Sequence, residues 1–507
     1  MSGTTPLPAA APPQLADTIA LSLVSHTNVG KTTLARTLLG RDIGEVRDAP
    51  HVTESADRFT LLQTEANARL ELWDTPGFGD SVRLLRRLRQ AGHPVGWFLS
   101  EVWDRWRDKP FWHSQQALRN VRDHADVVLY LVNAAEAPQA AGYVASEMEL
   151  LAWAGKPVIV LLNQLGAPRE RALEDADVQR WRGHLAQHAH VHAVLPLDAF
   201  ARCWVQEFAL FDAVQAALPE ARRALMFTLN AAWRQCRLAT FDAATGVLAA
   251  SLARLAAARA ALPDTGLRDR LRQVGSALGL GSAQPRPEAV AEQALTESLA
   301  REHRDGTAQL LALHGLAGTA QDELVARLDL LFELHAKVDE TRAGVLGGAL
   351  TGALAGLKAD IASGGLTLGG GLLAGGVLGA LGGVALARGF NRFRGTDASW
   401  LGWSNAALDA FTDAALLRYL AVAHFGRGRG DWSAGEAPPF WAEVVAQTLA
   451  PRRAAFAKVW SERSAPACAA LESTLKPLLA EALGAALACL YPGTALGAMQ
   501  RGGPRPN

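Results

Sequence analysis

Neither sign of charge is in excess in this 507-residue chain, where 50 basic side chains offset 50 acidic ones. No global field draws phosphate backbones or anionic surfaces to it unspecifically, so any such contact must be local, and no nucleic-acid partner is expected. Cysteine is also scarce. The four present, Cys203, Cys236, Cys468 and Cys489, show no CxxC spacing. That argues against a disulfide framework and a zinc site, and suits a reducing cytosol. Residues 1–17 have no basic start and no long apolar run. They lack the anatomy of a secretion signal and read as a disordered, Pro/Ala-rich tail.

What the chain does have is ordinary globular material, 49% hydrophobic and 20% charged. This excludes a wholly disordered or collagen-like chain, and the length exceeds what one core supports, so two or more domains are expected. From Thr18 to Leu218 short apolar runs alternate with helix-compatible stretches: Ile19 to Val24, Phe59 to Leu62, Leu70 to Trp73, Val127 to Val132, Val158 to Leu162 and Val191 to Leu195. The pattern predicts an α/β domain over 18–218 with a parallel sheet flanked by helices. A helical insertion is expected over about 81–121, carrying Trp97, Trp103, Trp106 and Trp112; these either cement the extra helices or relay a state outward. From Pro219 onward strand signals fade, which predicts an all-α region: a helical domain over 219–343, a Gly-rich apolar hairpin over 344–389, and the helical domain continued with a C-terminal tail over 390–507. Loops are expected at Gly275 to Pro287 and Gly426 to Pro439.

The first apolar run leads directly into Ser25-His26-Thr27-Asn28-Val29-Gly30-Lys31-Thr32-Thr33, and a helix-forming segment follows. Strand, loop and helix in this order make a phosphate cradle. Main-chain N–H groups point inward, the helix N-terminus adds partial positive charge, Lys31 reaches the outer phosphates and the Thr32 hydroxyl ligates Mg²⁺. Ser25 stands where the usual G-x-x-x-x-G-K-[ST] pattern has its first glycine. A second phosphate-site motif is Asp74-Thr75-Pro76-Gly77 at a strand end. There the carboxylate can hold a Mg²⁺-bound water and the Gly77 N–H can meet a γ-phosphate.

Through residues 27–33 and the Asp-Thr-Pro-Gly run, the first two-fifths of the chain resembles the Era/TrmE-like branch of P-loop GTPases. The resemblance implies an Era-like α/β GTPase domain that binds GTP and GDP with Mg²⁺. It also implies a switch threonine that closes on the metal, for which Thr53 is the candidate, giving Thr32, Thr53 and Asp74 as metal-site residues. In the TrmE-like subgroup the asparagine matched by Asn28 helps hold K⁺, which would place Asn28 beside Lys31 and Thr53 in the catalytic set. The base-reading Asn-Lys-x-Asp motif is represented by Asn163-Gln164-Leu165-Gly166. Its asparagine and Gln164 remain nucleotide-binding candidates, but the guanine-reading aspartate is missing. Guanine preference therefore comes from the likeness, and an ATPase stays open as a reading; Asp198 is a partial substitute or a helix cap. Phe78 occupies the position of the water-orienting glutamine of small GTPases. Slow turnover follows, with a dimer or protein partner needed for useful rates, or else a nucleotide-binding scaffold without turnover.

The whole chain looks like bacterial proteins that join such a GTPase to a poorly characterised helical C-terminal domain. In the Gly-rich segment, Gly344, Gly348, Gly352 and Gly356 recur every four residues, as do Gly371, Gly375, Gly379 and Gly383. Small residues at this spacing let helix backbones approach closely. Two readings stand: a hairpin packed inside the helical domain of a cytoplasmic protein, or one that associates with the inner membrane, peripherally or integrally. Weaker signals are expected to be structural. His184, His188, His190 and His192 lack a carboxylate or cysteine to complete a metal set. The stretch Ala221 to Leu262 reads as bundle helices with solvated arginines rather than an RNA-binding face.

Overall fold

The computed structural model describes residues 17–27, 29–40, 57–90, 109–164, 171–197, 203–262, 287–316, 390–394, 399–424, 440–463 and 468–492. The chain divides into two compact units, Met1–Leu238 with His424–Trp432, and Ala239–Ala423 with Ser433–Asn507.

The first unit is built on β1 (Thr18–Ser25), α1 (Lys31–Leu39), β2 (Asp57–Gln63), β3 (Arg69–Asp74), α2 (Ser81–Gln90), α3 (Lys109–His124), β4 (Val127–Asn133), α4 (Tyr143–Ala154), β5 (Val158–Asn163), α5 (Arg171–Leu185), β6 (Val191–Pro196) and α6 (Trp204–Ala217). The six strands form one sheet in the order β2-β3-β1-β4-β5-β6. All eight residues of β1 and all six of β5 are buried. Their continuous apolar runs are what a strand needs when helices cover both faces of the sheet.

Five strands are parallel, but β2 runs antiparallel to β3. This corrects the all-parallel expectation, and the cause is the short turn Thr64 to Ala68. The Thr64 N–H donates to Ala68 O at 2.9 Å, and Asn67 takes a left-handed φ of 61°. So short a link joins only antiparallel neighbours, because a parallel pair needs a crossover. Within the insertion, α2 starts at an aspartate cap, with the Arg83 N–H donating to Asp80 Oδ1 at 3.0 Å. Phe78, Leu84, Phe111, Leu118 and Val121 belong to the core that also holds Met148, Val160 and Trp181.

The helix α7 (Glu220–Ala257) follows, with its residues from Ala239 onward belonging to the second unit. That unit adds β7 (Arg259–Leu262), α8 (Pro287–Leu313), β8 (Phe390–Arg394), β9 (Ser399–Trp403), α9 (Asn405–Ala423), α10 (Trp441–Leu449), α11 (Arg453–Glu462) and α12 (Cys468–Leu490). It is largely helical, with one departure from the all-α expectation: an antiparallel sheet in the order β7-β9-β8. These strands have only four or five residues. Runs such as Arg-Ala-Ala-Leu carry no β-branched signal, so pairing rather than local preference makes them strands.

Packing in the second unit relies on aromatic edges and bidentate arginines. Trp403 meets Phe411 edge-on at 4.9 Å. The Arg453 guanidinium donates to both oxygens of Asp413 at 2.6 and 2.8 Å. Among the described residues α7 and α12 are long and apolar enough to cross a membrane. Core helices share that composition, and Leu475, Leu479, Leu483 and Leu487 of α12 are buried within the fold. The Gly-rich segment 344–389 lies outside the described residues.

Candidate functional site

The site is assembled where β1 and β3 end side by side. Parallel pairing from Thr18↔Arg69 to Leu23↔Asp74 brings Leu23, two residues before Ser25, level with the start of the Asp-Thr-Pro-Gly run. Two further bonds lace the loops together: the Thr75 hydroxyl donates to Leu23 O, and the Phe78 N–H donates to Ser25 O at 2.9 Å. After Ser25 the chain must reverse into α1, and Gly30 makes that turn with φ 93° and ψ 29°. Only glycine adopts this region without strain. A Cβ there would also sit 2.7 Å from Asn163 Nδ2.

Four predicted residues converge here. Lys31 Nζ donates to Ser25 Oγ at 3.0 Å, and a Cβ on Gly77 would stand 3.0 Å from the same nitrogen. Gly77 also lies against Thr27, whose Cα would be 3.1 Å from that Cβ. Burial pushes the Lys31 ammonium below its ordinary pKa, against the raising effect of Asp74 and Glu147. The ammonium is thus buried within electrostatic reach of two carboxylates, with its hydrogen bond going to Ser25.

Asp74 is 3% exposed. Its Oδ2 accepts from Thr32 Oγ1 at 2.7 Å, and its Oδ1 is buried with no hydrogen-bond partner. Burial pushes its pKa up to about 6, with the Thr32 hydrogen bond and the Lys31 charge opposing the rise. An orphaned carboxylate oxygen beside a threonine hydroxyl is the hard-oxygen donor set that suits Mg²⁺, so these residues fit that ion.

Asn163 closes the β5 strand and is fully buried. Its Nδ2 donates to Val29 O at 2.6 Å, tying β5 to the phosphate loop. Gln164 takes φ 56° directly after it. Thr33 is buried in α1, where its carbonyl accepts from Thr37 Oγ1 at 2.9 Å. Asn28 and Thr53 lie outside the described residues, as do Leu165, Gly166 and Asp198.

The structure adds partners that sequence reasoning missed. The His26 ring stacks on Tyr143 at 4.4 Å, and its Nδ1 lies 2.8 Å from Glu147 Oε1. Tyr130 Oη donates to Glu147 Oε2 at 2.6 Å. No spacing rule links a loop histidine to a glutamate this far along the chain. A buried glutamate in an apolar helix was the available signal.

Of the insertion's tryptophans, Trp112 packs edge-on to His113 at 5.2 Å. Trp97, Trp103 and Trp106 lie outside the described residues. The rings of His188 and His190 meet at 5.7 Å, and burial lowers both pKa values. Among the described residues no group of three His, Cys, Asp or Glu side chains is placed to hold a metal.

Residues 20–164 match the family described as "50S ribosome-binding GTPase", and residues 182–477 match "Domain of unknown function (DUF3482)". No curated protein matches the chain. Similar solved structures include Era of Aquifex aeolicus bound to GDP·AlF4⁻, 19% identical over 40% of this chain, with a TM-score of 0.30. The chain covers 58% of that Era structure. A probable GTP-binding protein engB is 15% identical over 39% of this chain and 99% of its own, with a TM-score of 0.23. Toc33 from Arabidopsis thaliana is 15% identical over 43% of this chain and 83% of its own, at 0.24. The N-terminal unit carries the match to a P-loop GTPase domain, over residues 20–164. Matched from residue 182 to residue 477, more than half its length, the chain belongs to the DUF3482 family and carries that domain behind the segment that matches a GTPase family.

Proposed function

We propose that the chain is a slow, nucleotide-controlled switch: its first unit binds GTP and GDP with Mg²⁺, and the helical unit acts on a membrane or protein partner. The observation that carries this reading is the convergence of Ser25, Lys31 and Gly77 beside the Thr32–Asp74 hydrogen bond. In this proposal His26, Thr27, Val29, Gly30 and Thr33 shape or cap the phosphate loop, and Lys31 compensates the outer phosphates. Thr32 and Asp74 hold Mg²⁺, with Thr53 as the switch ligand. The bound ion supplies charge neutralisation at the β- and γ-phosphate oxygens. Asn28 holds a K⁺ ion, and Asn163 and Gln164 border the base.

Slow turnover is supported by Phe78, which is fully buried in the apolar core and leaves the water-orienting position without a polar side chain. The same observation favours a second reading, a scaffold that holds nucleotide without turnover. A homodimer or a protein partner supplies the missing group in the switch reading. The Gly-rich segment 344–389 is the proposed membrane contact.

The test measures GTP, GDP and ATP binding, then phosphate release in K⁺ and in Na⁺, for the native protein and for Lys31→Ala. Guanine-selective binding with slow, K⁺-dependent release that Lys31→Ala abolishes is the expected result. Tight binding without release establishes the scaffold, preference for ATP overturns the guanine reading, and indifference to the cation removes the role of Asn28. Co-sedimentation with anionic vesicles, with and without GTP, tests the membrane contact; full recovery in the supernatant in both cases removes it.

A further inference from the structure

Through consecutive residues the helix α4 reaches His26 in the phosphate loop and Ser81 at the start of α2. Tyr143 and Glu147 stand one helical turn apart, on one face, and both engage His26: the Tyr143 ring stacks on the imidazole and Glu147 Oε1 lies 2.8 Å from Nδ1. Ser146, between them in sequence, shares a buried 2.8 Å hydrogen bond with Ser81, the first residue of α2 beyond the Asp-Thr-Pro-Gly run. The second oxygen of Glu147 is held by Tyr130, whose strand position pairs with Val24 immediately before the phosphate loop.

Glu147 is fully buried. Burial raises its pKa, against the lowering effect of its bonds to His26 and Tyr130 and the charges of His26 and Lys31. An isolated carboxylate is costly in such a place, whereas one with a donor on each oxygen and a cation nearby is tolerated. The Tyr130 hydroxyl is fixed in turn, with its ionisation pushed far up by burial first and by Glu147 next. His26 is the only one of these three that reaches solvent, with its side chain 30% exposed. The network therefore runs from the core outward and ends on the second residue of the phosphate loop. Nothing in the packing of α4 requires a carboxylate at that depth, since its other buried positions include Val144, Met148, Leu150 and Leu151.

We propose that Glu147 is a positioning residue for nucleotide binding: it orients His26 and so holds the Ser25–Thr27 main chain in its phosphate-cradling form, while the adjoining Ser146 ties the start of α2 to the same helical turn. This rests on the phosphate-loop reading above. Glu147 touches no nucleotide atom in this role, and its influence passes through His26.

The experiment measures fluorescent GDP and GTP affinity, nucleotide release rate and the KM and kcat of hydrolysis on the full chain. The variants are Glu147→Ala, Glu147→Gln, His26→Ala, the double variant His26→Ala/Glu147→Ala, and Lys31→Ala. Loss of a charge-assisted bond predicts affinity about tenfold weaker in Glu147→Ala, with faster release. His26→Ala reproduces the loss, and the double variant is no worse than either single one, as for two members of a single unit. Glu147→Gln restores native affinity to within about threefold, because an amide accepts from Tyr130 and donates to the other imidazole tautomer. A role confined to core packing lowers the melting temperature but leaves affinity and release rate unchanged.

Native affinity in a folded Glu147→Ala protein, or additive losses in the double variant, overturns the proposal. If Glu147→Ala does not fold, His26→Ala decides alone, and native affinity there overturns it. A native chain that binds no nucleotide, or Lys31→Ala binding as well as native, sinks the phosphate-loop reading instead. Native binding lost in Lys31→Ala but kept in Glu147→Ala sinks only the positioning role.

Discussion

Thr32 and Asp74 share a 2.7 Å hydrogen bond that occupies one carboxylate oxygen and leaves the other buried without a partner. The pKa of Asp74 is pushed up to about 6. The folded protein therefore binds this proton more tightly than the unfolded chain does. For the ligand-free protein, the Asp74 contribution to stability is largest below the ordinary value of 3.8 and is lost as pH rises through about 6.

A bound cation reverses the preference, because it needs the ionised carboxylate. Calorimetric titration of Mg²⁺·GDP between pH 5 and pH 8 should show affinity falling about tenfold per unit below pH 6, as one proton competes with the metal. Asp74→Asn should bind Mg²⁺·GDP poorly at every pH and melt higher than the native ligand-free protein above pH 6. A flat profile in the native protein would separate Asp74 from the metal.

Gly30 and Asn163 form one mechanical unit. Alanine at Gly30 meets two obstacles, a φ of 93° and a Cβ placed 2.7 Å from the Asn163 amide. The left-handed backbone alone costs about 1–2 kcal/mol. The collision then forces Asn163 to release Val29 O. Gly30→Ala is expected to lose measurable GDP binding, and Asn163→Ala to weaken it by about tenfold through the lost bond. Equal affinity in Asn163→Ala and the native chain, by fluorescence titration, would show that the tie does not shape the loop.

Phe78 illustrates what spacing can and cannot disclose. Its place after Gly77 identifies the absence of a water-orienting glutamine, and burial in the core explains why phenylalanine stands there. Likewise the apolar runs of β1, β4 and β5 are legible, because buried strands need continuous hydrophobic sequence, whereas β2 and β6 at the sheet edges are largely unburied. The direction of β2 is not legible, since it depends on how Thr64 to Ala68 close a turn. Asn163 reads as a base contact from its motif, yet its observed bond goes to the phosphate loop. Glu147 stands out in sequence only as a glutamate within an apolar helix, and its partners are not legible because Tyr130 and His26 reach it only after the sheet forms. The sheet of β7, β9 and β8 is hidden for the same reason, with a long intervening segment between its first strand and the others.

From the burial of Phe78 a direct consequence follows. Phe78→Gln is expected not to accelerate phosphate release, since position 78 lies within the core formed with Leu84 and Phe111 rather than facing a nucleotide. Burying an amide there and losing the ring should destabilise the unit by roughly 2–5 kcal/mol. Thermal melting and single-turnover phosphate release on the same preparation check both halves. A variant that melts like the native protein and hydrolyses GTP faster would place position 78 in the water-orienting machinery.

Arg418 presents the opposite case, a charge whose burial the fold compensates only in part. It is 5% exposed in α9. Its Nη1 donates to His303 O at 3.2 Å, its Nε has no partner, and no carboxylate is within ion-pair distance among the described residues. Burial pulls its pKa down to about 10, against the raising charge of Glu302. Gly306 of α8 faces the guanidinium, where a Cβ would stand in ordinary contact at 3.4 Å from Nη2. Desolvating a guanidinium costs several kcal/mol, which one carbonyl bond offsets only in part. Arg418→Met, close in length and apolar, is therefore expected to leave the melting temperature unchanged or to raise it by a few degrees, at the cost only of the His303 contact. Gly306→Ala in the native background places a methyl in ordinary van der Waals contact with the guanidinium, inside the helix α8, and is expected to hold or raise the melting temperature. A drop for Arg418→Met of the size that follows a broken buried ion pair, about 3–5 kcal/mol, would show that this guanidinium is held by more than His303.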